Sequence, residues 1–171
     1  AMPVLLGLIA AMMPMTSCAI SMEGKNWWLM QTLPIENKVI FNSKILTHLS
    51  VVLPFYVVSV ILSILALKPE SLGILWLILI PAAYILFSSV AGIAINLKFP
   101  VLDWENETRV VKQSASTMVT MLVDMVLGLP PIICLIAFKT ISVNIVMGVT
   151  LVLLILMTAL FYQQNNRQPL P

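Results

Sequence analysis

Five long apolar stretches constrain what this chain can fold into more than any other feature of its sequence. Each is close to the roughly 20 residues that an α-helix needs to cross the hydrocarbon core of a bilayer. They cover residues 2–20, 45–67, 72–97, 115–138 and 141–162. Transmembrane β-strands are shorter, at about ten residues, and alternate polar with apolar positions. The pattern therefore predicts an all-α, polytopic transmembrane helix bundle with about five spans, which forms a single transmembrane domain over residues 1–171.

The scarcity of charged residues supports the same fold class. Only 9% of the 171 residues are charged and 60% are hydrophobic, whereas a soluble domain has about 25% charged and about 45–50% apolar residues. Such a chain has too few polar groups to cover a surface exposed to water, so most of its surface must face lipid. The net charge of +2 comes without an arginine cluster or a basic stripe, which argues against nucleic acid as a partner.

Residue types that carry catalysis or bind metals are few and scattered. Cys18 and Cys134 both lie in apolar runs and are interpreted as small hydrophobic residues. His48, the single histidine, has no partner at ligand spacing, and the sequence contains no glycine-rich phosphate loop and no nucleophile motif. We therefore expect no catalytic residue, no metal and no cofactor, and we do not expect the chain itself to be an enzyme.

The basic residues predict how the chain is oriented in the membrane. The connections 21–44 and 98–114 are charged, whereas 68–71 and 139–140 are tight turns. The side of the charged connections holds Lys25, Lys38, Lys44, Lys98, Arg109, Lys112 and Arg167, and the other side holds Lys68 and Lys139. Because short cytoplasmic loops are enriched in lysine and arginine, we expect both charged loops and the C-terminal tail 163–171 in the cytoplasm of a multi-pass plasma-membrane protein. The sequence starts within an apolar run, and we expect it to be a piece of a longer protein.

Asp124 is the one acidic residue well inside a predicted span. A carboxylate at the bilayer centre costs about 2.5–3.5 kcal/mol on insertion scales, so it must face a polar cavity, pair with a neighbour or be protonated. One hypothesis places Asp124 on the translocation path or at a helix interface. The alternative is a buried neutral acid that is hydrogen-bonded to a residue such as Asn144 or Ser142.

The run Gly128-Leu129-Pro130-Pro131 predicts a break in the fourth span. Proline removes a backbone donor, and a freed carbonyl in lipid needs another partner. We expect a cytoplasmic half-helix followed by a short extracellular half. The alternative is a kink without a functional role.

The first charged loop contains a segment whose apolar residues have helical spacing. Within residues 21–34, Trp27 and Trp28 suit the level of the lipid headgroups and Pro34 ends the segment. The apolar positions are Met22, Leu29, Met30 and Leu33. A new helix is expected to begin after Pro34 and to run into the second span. Such a short helix parallel to the membrane serves either as an interfacial anchor or as a contact site for a cytosolic partner.

Two loop sequences carry a resemblance to a known family. The run EGKNWWLMQTLPIENKVIFNSKIL, residues 23–46, resembles the first cytoplasmic loop of bacterial ABC-transporter permeases of the type-2 exporter class. The matching features are Glu23, Gly24, an apolar helix from Leu29 to Leu33, the pair Leu33-Pro34, and Lys44. The second loop, residues 95–116, is similar to the matching loop of such exporters, and its most specific part is DWENET at Asp103 to Thr108.

The resemblance implies that the chain is the transmembrane permease subunit of an ATP-driven exporter in the bacterial plasma membrane. In that class the first cytoplasmic loop holds a coupling helix that docks on a separate ATP-hydrolysing subunit, and two permease halves form the path. The implied partners are therefore the ABC ATPase subunit, a second permease half or a second copy of the chain in a homodimer, and membrane lipid. The residues to which the resemblance assigns partner coupling are Glu23, Gly24, Trp27, Trp28, Leu29, Leu33, Pro34, Asp103, Trp104 and Glu105.

The chain also departs from the pattern of that family, and two other functions stay open. A permease half of the class has six spans, so we expect the family's first span to be missing here. The turn after the fourth span is also shorter than the extracellular element of the class. A gradient-driven secondary transporter predicts several intramembrane charges and inverted repeats, whereas this sequence shows one intramembrane acid and no repeat. A non-transporting membrane assembly subunit predicts dispensable loops.

Overall fold

The computed structural model of the protein describes residues 2–13, 15–32, 36–105, 108, 114–137 and 142–167. The helices of this part of the chain are α1 (Met2–Ala11), α2 (Trp27–Thr32), α3 (Asn37–Leu67), α4 (Ser71–Lys98), α5 (Ala115–Ala137) and α6 (Val143–Arg167). A 3₁₀ segment, Ser21–Asn26, precedes α2. The described residues form no β-strand, and the predicted all-α fold class is confirmed.

Four helices of the described chain, α3 to α6, are long and apolar enough to cross a membrane. They have 23 to 31 residues, which corresponds to about 35–47 Å against about 30 Å for the hydrocarbon core. Helix α3 begins at Asn37, so the end of the first charged loop is already helical. Helix α5 begins with a side-chain cap, because Ser114 Oγ accepts a hydrogen bond from Thr117 N at 3.2 Å.

Helix α4 is the centre of the bundle, and α1, α3, α5 and α6 all pack against it. Its C-terminal half is buried from Ala83 to Leu97 with the exception of Leu86. Small residues in this half, such as Ser89 and Ala91, let the neighbouring helices approach closely. The other long helices keep many large apolar side chains exposed, as expected of a surface that faces lipid.

The first predicted span, 2–20, is helical only in its first half. Helix α1 ends at Ala11, and most of the described residues from there to Ile20 form turns. Met13 precedes a proline in the sequence, and the residue before a proline is disfavoured in the α conformation. A continuous spanning helix over these residues is therefore replaced by a short helix followed by turns.

Helix α1 and the turns that follow it run alongside α4 in the same direction. Contacts advance in step along both segments, from Gly7 with Tyr84 to Ala11 with Ser88, Thr16 with Gly92, and Ile20 with Asn96. On α4 this corresponds to about 18 Å at 1.5 Å per residue. The helix and its turns thus cover more than half of the depth that a spanning helix covers.

Helix α5 corrects the prediction of a break at Gly128-Leu129-Pro130-Pro131, because it is continuous with both prolines inside it. Pro131 has no N–H to donate to the carbonyl of Leu127, four residues earlier. Tyr84 of α4 supplies the missing donor, since its hydroxyl donates to Leu127 O at 3.1 Å. The neighbouring helix therefore satisfies one of the two carbonyls that the prolines leave without a helical donor, and α5 continues to Ala137.

Candidate functional site

The two charged loops meet at one end of the bundle, which we call the loop end and define as residues 21–32 and 101–105. Trp104 donates its Nε1–H to Ser21 O at 2.7 Å. The Trp104 indole also lies against Gly24, where an added Cβ would be 3.0 Å from Nε1. Gly24 has φ +51° and ψ −130°, a backbone conformation that residues with a Cβ rarely adopt. Two predicted partner-coupling residues, Gly24 and Trp104, are thus brought into contact.

Glu23 forms an ion pair with Lys44 in α3. The two side chains are 28% and 21% exposed, respectively, so solvent screens the pair. Exposed pairs of this kind contribute about 0–1 kcal/mol. The ion pair therefore sets where the 3₁₀ segment lies relative to α3 more than it stabilises the fold.

The short helix α2 exposes large apolar side chains at the loop end. Trp28 is 59% exposed and Leu29 is 47% exposed. Asp103 and Glu105 in the second loop are exposed as well. The remaining predicted partner-coupling residues, Leu33, Pro34 and the side chain of Trp27, lie outside the described part of the structure.

Asn96, near the end of α4, is fully buried and uses its whole hydrogen-bonding capacity. Its Oδ1 accepts from Ile20 N at 2.9 Å and from Ser21 N at 3.1 Å. Its Nδ2 donates to Ser21 Oγ at 2.8 Å and to Ser116 Oγ at 3.0 Å. One amide group thereby links the start of the first loop with both α4 and α5. It also satisfies backbone groups that the turns leave without helical partners.

Two serines extend the contacts of Asn96. Ser116 Oγ donates to Ser17 O at 2.7 Å, and Ser21 Oγ accepts from Val101 N at 3.0 Å. The connected hydrogen bonds run between the turns after α1 and the helices α4 and α5. These residues and a second hydrogen-bonded group deeper in the bundle together form what we call the polar seam, defined as Ser17, Ser21, Ser88, Asn96, Ser116 and Asp124.

The polar seam continues deeper into the bundle with Ser88 and Asp124. Ser88 Oγ lies 2.7 Å from Ala11 O and 2.9 Å from Asp124 Oδ2. Asp124 is fully buried, and its Oδ1 has no hydrogen-bond partner among the described residues. The carboxyl group therefore lies at the interface of α1, α4 and α5.

The partner of Asp124 differs from the partners that the sequence suggested. The carboxyl contacts Ser88, whereas Asn144 accepts a hydrogen bond from Trp76 Nε1 at 2.9 Å. An apolar groove of about 270 Å³ between α5 and α6 is lined by residues from Val126 onwards, and Asp124 does not line it. The hypothesis that Asp124 lies on a translocation path stays a prediction.

Sequence reasoning missed most of the polar seam. Ser88 and Asn96 lie in an apolar run, where isolated small polar residues are usually interpreted as packing positions. The available signal was the proline in the first span together with polar residues in the other spans, because a broken helix needs partners elsewhere. Within the described residues, no group of three His, Cys, Asp or Glu side chains is placed to hold a metal ion.

The long apolar helices, the lipid-facing side chains and the buried polar seam define a polytopic helical membrane protein. Comparison with known families makes this assignment more specific. The family model described as membrane protein of 12 TMs, meaning twelve transmembrane segments, matches residues 2–163, and the chain belongs to this family. No curated protein and no solved structure matches the chain.

Proposed function

We propose that the chain is a transmembrane permease subunit of an ATP-driven exporter, and that the loop end receives a separate cytosolic ATPase subunit. The observation that carries the proposal is the contact between the two charged loops. Trp104 of the second loop binds Ser21 and packs on Gly24 of the first. A docking site for one partner requires both loops at the same end, and this contact supports that arrangement.

The exposed apolar residues of α2 are the proposed contact with the ATPase. Trp28 and Leu29 extend from α2, which directly follows the 3₁₀ segment and packs against it. Large aromatic and aliphatic side chains at the centre of an interface supply most of its binding free energy. The exposed acids Asp103 and Glu105 would add charge complementarity to a basic partner surface.

The hydrogen bonds below the loop end provide a route by which docking acts on the membrane helices. Trp104 binds Ser21, Ser21 binds Asn96, and Asn96 binds Ser116 of α5. Movement of the 3₁₀ segment therefore pulls directly on α4 and α5 through short polar contacts. Alternating access in transporters follows from rocking of one helix bundle against another.

In this proposal a complete path is formed together with a second set of membrane helices. A family with twelve spans accords with a path formed between two permease halves. The large apolar side chains exposed on α3, α5 and α6 are available for lipid or for a second half. In this proposal the chain provides one side of the path.

The test is purification of the full-length protein from native membranes with identification of the subunits that accompany it. We expect a nucleotide-binding subunit and ATP hydrolysis in the purified wild-type complex. The double variant Trp28→Ala with Leu29→Ala is expected to lose both. The matched control changes Ile61 and Leu62, an equally exposed apolar pair in α3, to alanine, and is expected to retain both.

A wild-type complex without an ATPase subunit would overturn the proposal. The buried acid Asp124 then favours the second candidate, a secondary transporter driven by an ion gradient, because intramembrane carboxyl groups mark proton and ion pathways. Retention of the ATPase by the Trp28 and Leu29 double variant would instead overturn the role of α2 alone.

A further inference from the structure

Helix α1 ends inside the bundle, where Ser88 of α4 contacts its last residue, Ala11. Helix α1 has 10 residues, which corresponds to about 15 Å, or half of the hydrocarbon core. The last carbonyl groups of a helix lack partners within the helix, and an unsatisfied carbonyl in apolar surroundings is costly. Ala11 O is such a group, and Ser88 Oγ at 2.7 Å is its donor.

The number of hydrogen atoms shared by Ser88 and Asp124 indicates whether Asp124 is ionised. A serine hydroxyl has one hydrogen. Ser88 Oγ lies within hydrogen-bond distance of two oxygens, Ala11 O and Asp124 Oδ2. If Asp124 is ionised, both oxygens are acceptors and they compete for one hydrogen. If Asp124 carries a proton, Oδ2–H donates to Ser88 Oγ, and Ser88 Oγ–H donates to Ala11 O.

The second arrangement also agrees with the missing partner of Oδ1. That atom has no hydrogen-bond donor among the described residues. An ionised carboxylate that is buried without a counter-ion or full hydrogen bonding is strongly disfavoured. The carbonyl oxygen of a neutral carboxylic acid is weakly charged by comparison, and leaving it without a partner costs much less.

No cation among the described residues is paired with Asp124. Helix α1 has no ionisable side chain. Tyr84 lies one turn before Ser88 on α4, and its hydroxyl donates to Leu127 O. The other ionisable residues on the elements around Asp124 are Cys18 in the turns, Lys98 at the exposed end of α4, Cys134 in α5, and Tyr162 and Arg167 near the end of α6.

We propose that Asp124 is a proton-binding site of the membrane domain. Its bound proton leaves the hydroxyl hydrogen of Ser88 free to bind Ala11 O, which holds the end of α1 against α4. When the proton leaves, the carboxylate takes the hydrogen of Ser88 and Ala11 O loses its donor. Proton release therefore frees the end of α1, and proton uptake fixes it. The proposal holds with or without an ATPase partner, because it depends on three groups inside the bundle.

Infrared difference spectroscopy of the full-length protein, labelled with [4-¹³C]aspartate, tests the charge of Asp124 directly. At neutral pH, the difference between the wild type and Asp124→Asn is expected to contain the C=O band of a protonated carboxyl group. The difference for Asp103→Asn, an exposed loop aspartate, is expected to contain carboxylate bands. Carboxylate bands alone in the Asp124→Asn difference would overturn the proposal.

Serine variants test the connection to α1. Ser88→Ala removes the acceptor of the Asp124 proton, so the C=O band is expected to move to higher frequency. Ser89→Ala is the matched control, because Ser89 Oγ donates to Leu86 O of its own helix, and it is expected to leave the band unchanged. An unchanged band in Ser88→Ala would overturn the role of Ser88.

The pH dependence of Tm distinguishes a proton-binding Asp124 from a residue that only packs, because packing alone does not change with pH. The unfolded chain ionises Asp124 at neutral and alkaline pH, so folding takes up a proton and stability falls as pH rises. The amide of Asp124→Asn donates to Ser88 without titrating. We expect the Tm of the wild type to fall with rising pH relative to that of Asp124→Asn. Parallel Tm profiles of the two proteins would overturn the proposal.

Discussion

Replacing Asn96 by alanine tests whether the polar seam holds the first loop on the membrane helices. The wild-type side chain makes four hydrogen bonds, two as acceptor and two as donor. A buried hydrogen bond contributes about 0.5–1.5 kcal/mol, so the loss of four predicts a decrease of about 2–6 kcal/mol in the free energy of unfolding. The average of about 0.6 kcal/mol found within bilayers gives about 2.4 kcal/mol, which lies at the lower end of this range.

The assay is reversible unfolding of the purified protein in mixed detergent micelles, followed by the loss of helical circular dichroism. The matched control is Asn144→Ala, since Asn144 is exposed and accepts one hydrogen bond, from Trp76. That variant is expected to lose less than about 1.5 kcal/mol, the upper value for one hydrogen bond. Equal losses in the two variants would refute the reasoning, because the number of hydrogen bonds would then not determine the effect.

Glycine substitutions test the close contacts that the turns after α1 and the 3₁₀ segment make with their neighbours. Gly92→Ala places a Cβ 2.5 Å from Thr16 Oγ1, so a stability loss of about 1–3 kcal/mol is expected in the same assay; Gly148→Ala, whose nearest neighbouring atom is at 3.9 Å, should show no loss. Gly24→Ala forces a Cβ into a positive-φ conformation against Trp104, which costs about 1–3 kcal/mol. Faster protease cleavage within residues 21–32 would report that strain, and an unchanged cleavage rate would contradict it.

The sequence was sufficient to predict the helical class and the approximate extent of α3 to α6. An apolar run long enough to span the bilayer satisfies its backbone hydrogen bonds in lipid as an α-helix, and the alternative is a closed β-barrel. The start of α3 after the first loop was also predictable, because Pro34 separates two helical patterns. These inferences use local information, which the order of residues contains directly.

The helix ends and side-chain partners were not predictable, because they depend on contacts between distant residues. The predicted break at Pro130-Pro131 is wrong because the helix is continuous there, and Tyr84, on another helix, donates to one of the two freed carbonyls. The suggested partners of Asp124 are wrong because the carboxyl faces Ser88 of α4. Both errors have the same origin, since single-sequence patterns do not reveal which helices face each other.

Helix α1 and the residues that bind its end are far apart in the sequence, and this separation has a consequence for biosynthesis. The carbonyl of Ala11 accepts a hydrogen bond from a serine 77 residues later, and the N–H of Ile20 donates to an asparagine 76 residues later. At about 5–20 residues per second, the ribosome needs about 4–15 s to reach them. Until then the backbone groups at the end of α1 lack hydrogen-bond partners, and lipid cannot supply any. The end of α1 must therefore stay at the water interface or with the insertion machinery. Helix α1 is thus translated before α4 and can take its final position only after α4 has been made.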